Sequence, residues 1–219
     1  MITLEDVKSN EEVKELVMGA QRQLDVLGYT EHSARHVNIV SDRAGKILKM
    51  LEYNQDRIEL AKIAGYLHDI GNNINRVDHA HTGAILAYNI LKDMGMSIRE
   101  RTEVMTAIGN HDEQTGTAVS DISAALILAD KSDVHRDRVV NQNLSKFDIH
   151  DRVNYAVTEA NLQINNIDKK VILELTIDTK ICPVLDYFKI FMDRTIMSKY
   201  AAKYLRIWFE LIINDTKLL

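Results

Sequence analysis

Cysteine occurs once in these 219 residues, at Cys182, and proline once, at Pro183. One thiol excludes an intrachain disulfide and a thiolate-rich metal site. With nine glycines and one proline, little of the chain can be turn-rich or low-complexity, which favours long helices over a many-stranded sandwich. There is no excess of positive charge either. Lysine and arginine number 27 against 32 acidic residues, a net charge of −5, so no basic footprint marks nucleic acid as a partner. A local basic pocket for a phosphate remains compatible with that balance. The longest apolar runs, such as Ala124–Ala129 and Leu211–Ile213, fall far short of the roughly 20 residues that span a bilayer. The opening segment MITLEDVKSN carries acidic residues and no apolar run, so neither a secretory signal nor a membrane partner is expected, and the expected location is cytoplasmic. What is present, 46% hydrophobic and 27% charged residues, suits one well-packed domain over residues 1–219.

Apolar spacing divides the chain mostly into helices. Val13, Leu16, Val17, Ala20 and Leu24 form one stripe of a helix from about Asn10 to Leu27, with Gly28 as its stop. Thr30 is placed to cap a second helix carrying His36, Ile39, Val40, Ile47, Leu48 and Leu51. A third runs from about Asp56 to His68 and stops near Gly71, after which GNNINRVDH reads as a polar loop. Further helices are expected from about His79 to Met94, Ile98 to Gly109 and Asp121 to His135. The period changes after about Asn154: LQIN and VILELTID alternate around a polar IDKK, which predicts a β-hairpin. Pro183 then restarts helix, expected to continue through Tyr187, Ile190, Phe191, Ile196, Tyr204, Ile207, Trp208 and Leu211 to the end. The fold class expected is mainly α, a helical bundle with a small β-hairpin in the C-terminal third. The metal-binding core would lie at about 30–136, and the hairpin and C-terminal helices at about 154–219.

The chemistry is concentrated at the polar ends of the apolar helices. His68-Asp69 sits in GYLHDIGN, where an imidazole and an adjacent carboxylate can both reach one metal ion, and a carboxylate's two oxygens can bridge two. Two other His-Asp pairs, His111-Asp112 and His150-Asp151, show that the dipeptide alone decides nothing. Context favours the first. His36 lies on the preceding helix, HAHTGA begins a later one, GNHDE ends another, and Asp130 comes late in SAALILADKSD. Buried helices have little reason to end in histidine or aspartate unless these groups are paired or ligated.

The ordered series His36, His68-Asp69, His79, His111 and Asp130 resembles the signature of the HD-domain superfamily of metal-dependent phosphohydrolases, over roughly residues 30 to 136. GYLHDIGN is similar to the HDIG-type segment of its two-metal branches, and HAHTGA to their histidine followed by glycine four residues later. The resemblance implies an HD-type helical bundle with a first divalent ion held by His36, His68, Asp69 and Asp130. It implies a second held by His79 and His111, with Asp69 bridging. Asp69 and His68 would be the catalytic pair, Fe, Mn, Co, Ni, Zn and Mg all being admissible ions. The expected reaction is attack of a metal-bound hydroxide on a nucleotide or other small phosphate ester. One similar two-metal branch cleaves diadenosine polyphosphates. Two departures bear on this. Asn72 stands where many members carry lysine, so the phosphate contact there is polar but uncharged. Asn110-His111 replaces a His-His pair and no Gly-Tyr-Pro loop follows, which argues against a third metal and against cyclic-dinucleotide hydrolysis.

Lys131 and Arg136, flanking Asp130 in ADKSDVHRDR, are candidate phosphate contacts together with Asn72. His32, His81, His135 and His150-Asp151 are expected at the surface or in structural roles. Tyr187, Phe188, Phe191, Tyr200, Tyr204, Trp208 and Phe209 recur at helical spacing, as core or as the surface of a homodimer. The rival readings are a diiron oxygenase, whose ligand set would be the same, and a non-catalytic nucleotide-binding sensor.

Overall fold

The computed structural model describes residues 2–27, 34–139 and 147–219. The expected stop at Gly28, the cap at Thr30 and the surface residue His32 lie outside the described residues. A short helix α1 (Leu4–Ser9), capped by the Thr3 side chain, leads into α2 (Glu11–Leu27). Then come α3 (Ala34–Met50) and α4 (Gln55–Leu67), the latter capped by Asn54 Oδ1 accepting from the Arg57 amide. A 3-10 turn at Ile70–Asn73 precedes α5 (His79–Asp93), α6 (Ile98–Gly109) and α7 (Asp121–Lys131).

Helix α7 is the centre of the molecule. Every residue from Ile122 to Lys131 is buried, because α3, α4, α6 and the later helix α9 (Val184–Tyr204) all pack around it. An amphipathic surface helix would show one apolar stripe; this one is apolar on all sides, as burial demands. Its apolar run ends in Asp130-Lys131, so the charged pair lies inside the fold and not on its surface. Helices α3 and α4 meet unusually closely, since a Cβ on Gly65 would lie 2.7 Å from Ser41 Cα. That contact draws the histidine-bearing ends of the two helices together.

Helix α7 stops at Lys131 instead of running to His135. The Ser132 hydroxyl donates to the Ala129 carbonyl, and the chain turns into a 3-10 segment, Arg136–Arg138. Helix α8 (Ile149–Ala156) was not expected from spacing; eight residues show too few turns for a period, although Asp148 caps it through the Asp151 amide.

The expected hairpin is present as β1 (Val157–Asn165) and β2 (Lys170–Ile177), antiparallel, with Leu162 opposite Leu173. Helix α9 (Val184–Tyr204) follows but does not continue to the end of the chain. It stops at Tyr204, Arg206 turns the backbone at φ +59°, and β3 (Trp208–Ile213) pairs in parallel with β2 before β4 (Thr216–Lys217) closes an edge. The sheet order is β1-β2-β3-β4, and α9 is the crossover that a parallel pair requires. WFELII fits both periods. The open edge of β2 decides between them, burying Phe209, Leu211 and Ile213 on one face. Of the aromatic series, Tyr187 and Phe191 join the core, while Tyr200, Tyr204 and Trp208 are exposed. Among the described residues, no helix is long and apolar enough to cross a membrane.

Candidate metal centre

Five helix ends converge. His36 stands in the first turn of α3, His68 caps the end of α4 with Asp69 beside it, His79 opens α5, His111 follows α6 and Asp130 comes from the end of α7. The 3-10 turn after Asp69 lies so close to α5 that a Cβ on Gly71 would collide with the His79 carbonyl oxygen, and one on Gly83 would lie 3.1 Å from the Gly71 nitrogen. Glycine at both positions is therefore what lets α5 bring His79 to Asp69.

All six expected ligands are buried. His36 Nε2 lies 3.3 Å from His68 Nε2 and 3.3 Å from Asp130 Oδ1. On the other side, His79 Nε2 lies 3.2 Å from His111 Nε2. Asp69 stands between the two pairs. Its Oδ2 is 3.3 Å from His68 Nε2 and 3.7 Å from His36 Nε2, while its Oδ1 is 3.5 Å from His79 Nε2 and 4.0 Å from His111 Nε2. Two sets of donor atoms, one from His36, His68 and Asp130 and one from His68, Asp69 and His111, each lie within 4.8 Å of one another and could hold a metal ion.

Each imidazole is oriented from behind. His68 Nδ1 donates to the Gly65 carbonyl at 2.9 Å, His79 Nδ1 to the Arg76 carbonyl at 3.0 Å, and His111 Nδ1 to the Ile108 carbonyl at 2.7 Å. His36 Nδ1 meets Asp133 Oδ2 at 2.7 Å. A carbonyl or carboxylate oxygen can only accept, so a proton is assigned to Nδ1 in every case, and each ring turns its Nε2 inward. The Nε2 atoms of His79 and His111 lie 3.2 Å apart, and Arg76 Nη1 lies 3.1 Å from that of His79. This back-supported arrangement is the one that fixes imidazole ligands on metals, and the residues present fit the group.

The electrostatics agree. Burial, reinforced by His68, Lys131 and His79, holds His111 well below the ordinary histidine value, and burial with Arg76 also lowers His79. Those two rings stay neutral and able to donate lone pairs. At His68 burial is outweighed by Asp69 and Asp130, and its pKa is raised. Burial would raise Asp130, but Lys131 and the two histidines hold it well below the usual carboxylate range.

Asn72 donates from Nδ2 to Asp69 Oδ1 at 3.0 Å, so it holds the central carboxylate. Lys131 Nζ lies 2.7 Å from Asp130 Oδ2 and 2.6 Å from Glu113 Oε2, which ties down one Asp130 oxygen and leaves the other with the histidines. The Arg136 guanidinium lies over the Tyr155 ring at 5.2 Å. His81 is exposed beside Asp78, and His135 Nε2 donates to the Thr158 carbonyl, both as expected of residues outside the cluster. His150 and Asp151 line a cleft that also takes in Asp112 and Arg76.

Sequence reading missed Asp133, Glu113, Arg76, Arg138 and Arg194. Asp133 also pairs with Arg35 at 3.2 Å and approaches Arg138 at 4.0 Å, and Arg76 Nη1 reaches His79 Nε2 at 3.1 Å. Arg194 Nε donates to Glu113 Oε1 at 3.0 Å. The available signals were local: Asp133 comes three residues after Asp130, and Arg76 three before His79, whereas Glu113 and Arg194 act across separations that no spacing rule bridges.

The model of the family described as "HD domain" matches residues 29–154. The uncharacterized protein MJ1020 of Methanocaldococcus jannaschii is 31% identical over 134 residues, which is 51% of this chain and 51% of that protein, so the chain matches about half of its length. The crystal structure of a predicted HD superfamily hydrolase from an uncultured Thermotogales bacterium is 30% identical, with a TM-score of 0.45 over 57% of this chain and 67% of that one. The matched segment holds all six converging ligands and more than half of the sequence, and this protein belongs to the HD-domain family.

Proposed function

We propose that the protein is a metal-dependent phosphohydrolase acting on a nucleotide or other small phosphate ester, with two divalent ions in the centre. The observation that carries this reading is the carboxylate of Asp69, with one oxygen toward His36 and His68 and the other toward His79 and His111. In this reading His36, His68, Asp69 and Asp130 hold the first ion, and His79 and His111 the second, with Asp69 shared. Such a pair supplies Lewis acidity, lowering the pKa of water and neutralising charge that develops on phosphoryl oxygens.

The chain's own groups prepare that centre. Asn72 fixes the rotation of the Asp69 carboxylate, and the Asp133, Gly65, Arg76 and Ile108 oxygens fix the four rings. Burial keeps bulk water from the ligands, so their charges act in a low dielectric. Asp69 and His68 are the catalytic candidates, acting through the ions they would hold. Lys131, Arg136 and Asn72 remain candidates for substrate contact, with Lys131 reaching phosphate only by releasing part of its hold on Asp130 or Glu113.

The test is metal analysis of protein purified without oxygen, followed by a phosphate-ester panel with the native metal restored. About two ions per chain, and release of phosphate or a nucleoside monophosphate without dioxygen, are expected. Dioxygen consumption by the iron form, with no release from any ester under Mn, Co or Fe(II), would overturn the reading.

A further inference from the structure

Beside the His79 side of the centre opens a cleft of about 370 Å³, near the lower end of the roughly 300–1,000 Å³ usual for small-molecule sites. Among the described residues, its walls come from four separate pieces of chain: the turn before α5, the loop after α6, the start of α8 and the middle of α9. The last of these lies beyond the segment that the family model matches.

The lining carries charge of both signs. Two of the lining residues, Arg76 and Arg194, connect to the metal centre. Arg76 Nη1 touches His79 Nε2 and lies 3.9 Å from Asp69 Oδ1. Arg194 connects through Glu113 to Lys131 and so to Asp130. Glu113 is paired with both cations, which removes it as a free negative charge. Among the described residues, the remaining acidic lining residues are Asp78, Asp112, Asp148 and Asp151, of which Asp112 lies 3.9 Å from His79 Nδ1.

Two guanidinium groups beside a metal centre suit phosphate, because arginine's planar fork grips two oxygens at once. The four aspartates cannot face a second phosphate without like-charge repulsion in a partly closed space. Carboxylates accept hydrogen bonds and donate none, so what fits against them is a group rich in hydroxyl or amino donors. We propose, resting on the phosphohydrolase reading, that this cleft seats a monoester with a single phosphate held at Arg76 and Arg194, and a donor-rich sugar lying against Asp78, Asp112, Asp148 and Asp151. The C-terminal helix thus completes the substrate site by supplying Arg194, and chains of several phosphates are excluded by the aspartates.

The experiment is calorimetric binding to the metal-loaded full chain, at fixed excess metal, of fructose 6-phosphate and fructose 1,6-bisphosphate. These probes differ only in a second phosphate at the far end. The monophosphate should bind the more tightly to the wild-type protein. Arg194→Gln should weaken it about tenfold or more, the loss of one hydrogen bond between charged groups, with metal content unchanged. Asp148→Asn keeps the α8 cap, because asparagine caps as well as aspartate, and should narrow the preference for the monophosphate. Equal or tighter binding of the bisphosphate to the wild-type protein would overturn the proposal. So would Arg194→Gln or Arg76→Gln, folded and metal-loaded, binding the monophosphate as the wild type does. If the binding pattern holds while no ester is hydrolysed, the reaction assigned above fails and this site stands.

Discussion

Asp133 offers the sharpest test of how the centre is built, because it holds no metal itself in the proposed arrangement and acts only through His36. Its Oδ2 receives the His36 Nδ1 proton at 2.7 Å, and its charge is balanced by Arg35 at 3.2 Å and Arg138 at 4.0 Å. Burial would raise this carboxyl, yet the His36 hydrogen bond and the two arginines hold it far below the ordinary range, so it is an anion at neutral pH. Losing a partner behind a ligating histidine typically costs about 10–100-fold in metal affinity, or about 1.4–2.7 kcal/mol. Asp133→Asn retains an oxygen that can still accept from Nδ1, and should fall near the tenfold end of that range. Asp133→Ala removes the acceptor altogether, leaves Nδ1 free to exchange tautomers, and should fall near the hundredfold end. The assay is titration of apo protein with Mn or Zn against a competing chelator. The weakening should be confined to the ion on the His36 side, because His79 and His111 take their orientation from backbone carbonyls. Wild-type affinity and stoichiometry in a folded Asp133→Ala protein would refute the idea that the ring is set from behind.

Asp69→Ala should strip most bound metal and all turnover, whereas Asp112→Ala and Asp151→Ala should keep metal, as elemental analysis would report; equal loss in all three would show the wrong His-Asp pair was chosen. His79→Ala or His111→Ala should lower the stoichiometry toward one ion per chain, and a structure with a single ion and both rings turned away would refute the two-ion centre. In the core, Ile127 is fully buried in α7, and Ile127→Ala should cost about 2–5 kcal/mol in denaturant unfolding. Burial pushes the Tyr187 phenol up from 10.0 to about 12, because the fold disfavours its anion. A raised acid value stabilises the fold fully below pH 10.0 and is lost as pH rises toward 12, so Tyr187→Phe should flatten the alkaline fall in stability, and an unchanged curve would count against it.

The sequence by itself determined the helices of the metal-bearing half and the identity of their terminal groups. An apolar period of 3.6 residues is a local property, and a histidine or aspartate that ends such a run has few reasons to be buried except pairing or ligation. The resemblance to the HD-domain signature then singled out His36, His68, Asp69, His79, His111 and Asp130 among these groups, and the structure brings all six together. Tertiary structure alone decided the rest. WFELII satisfied two periods, and the free edge of β2 chose the strand. Helix α8 was too short to declare a period. The groups that orient the ligands were hidden for a different reason: Asp133 reaches His36 across 97 residues, and Arg194 reaches Glu113 across 81. An ion pair or hydrogen bond between side chains leaves no periodic trace in either segment, because it depends on where two helices end up in space and not on the spacing within either one.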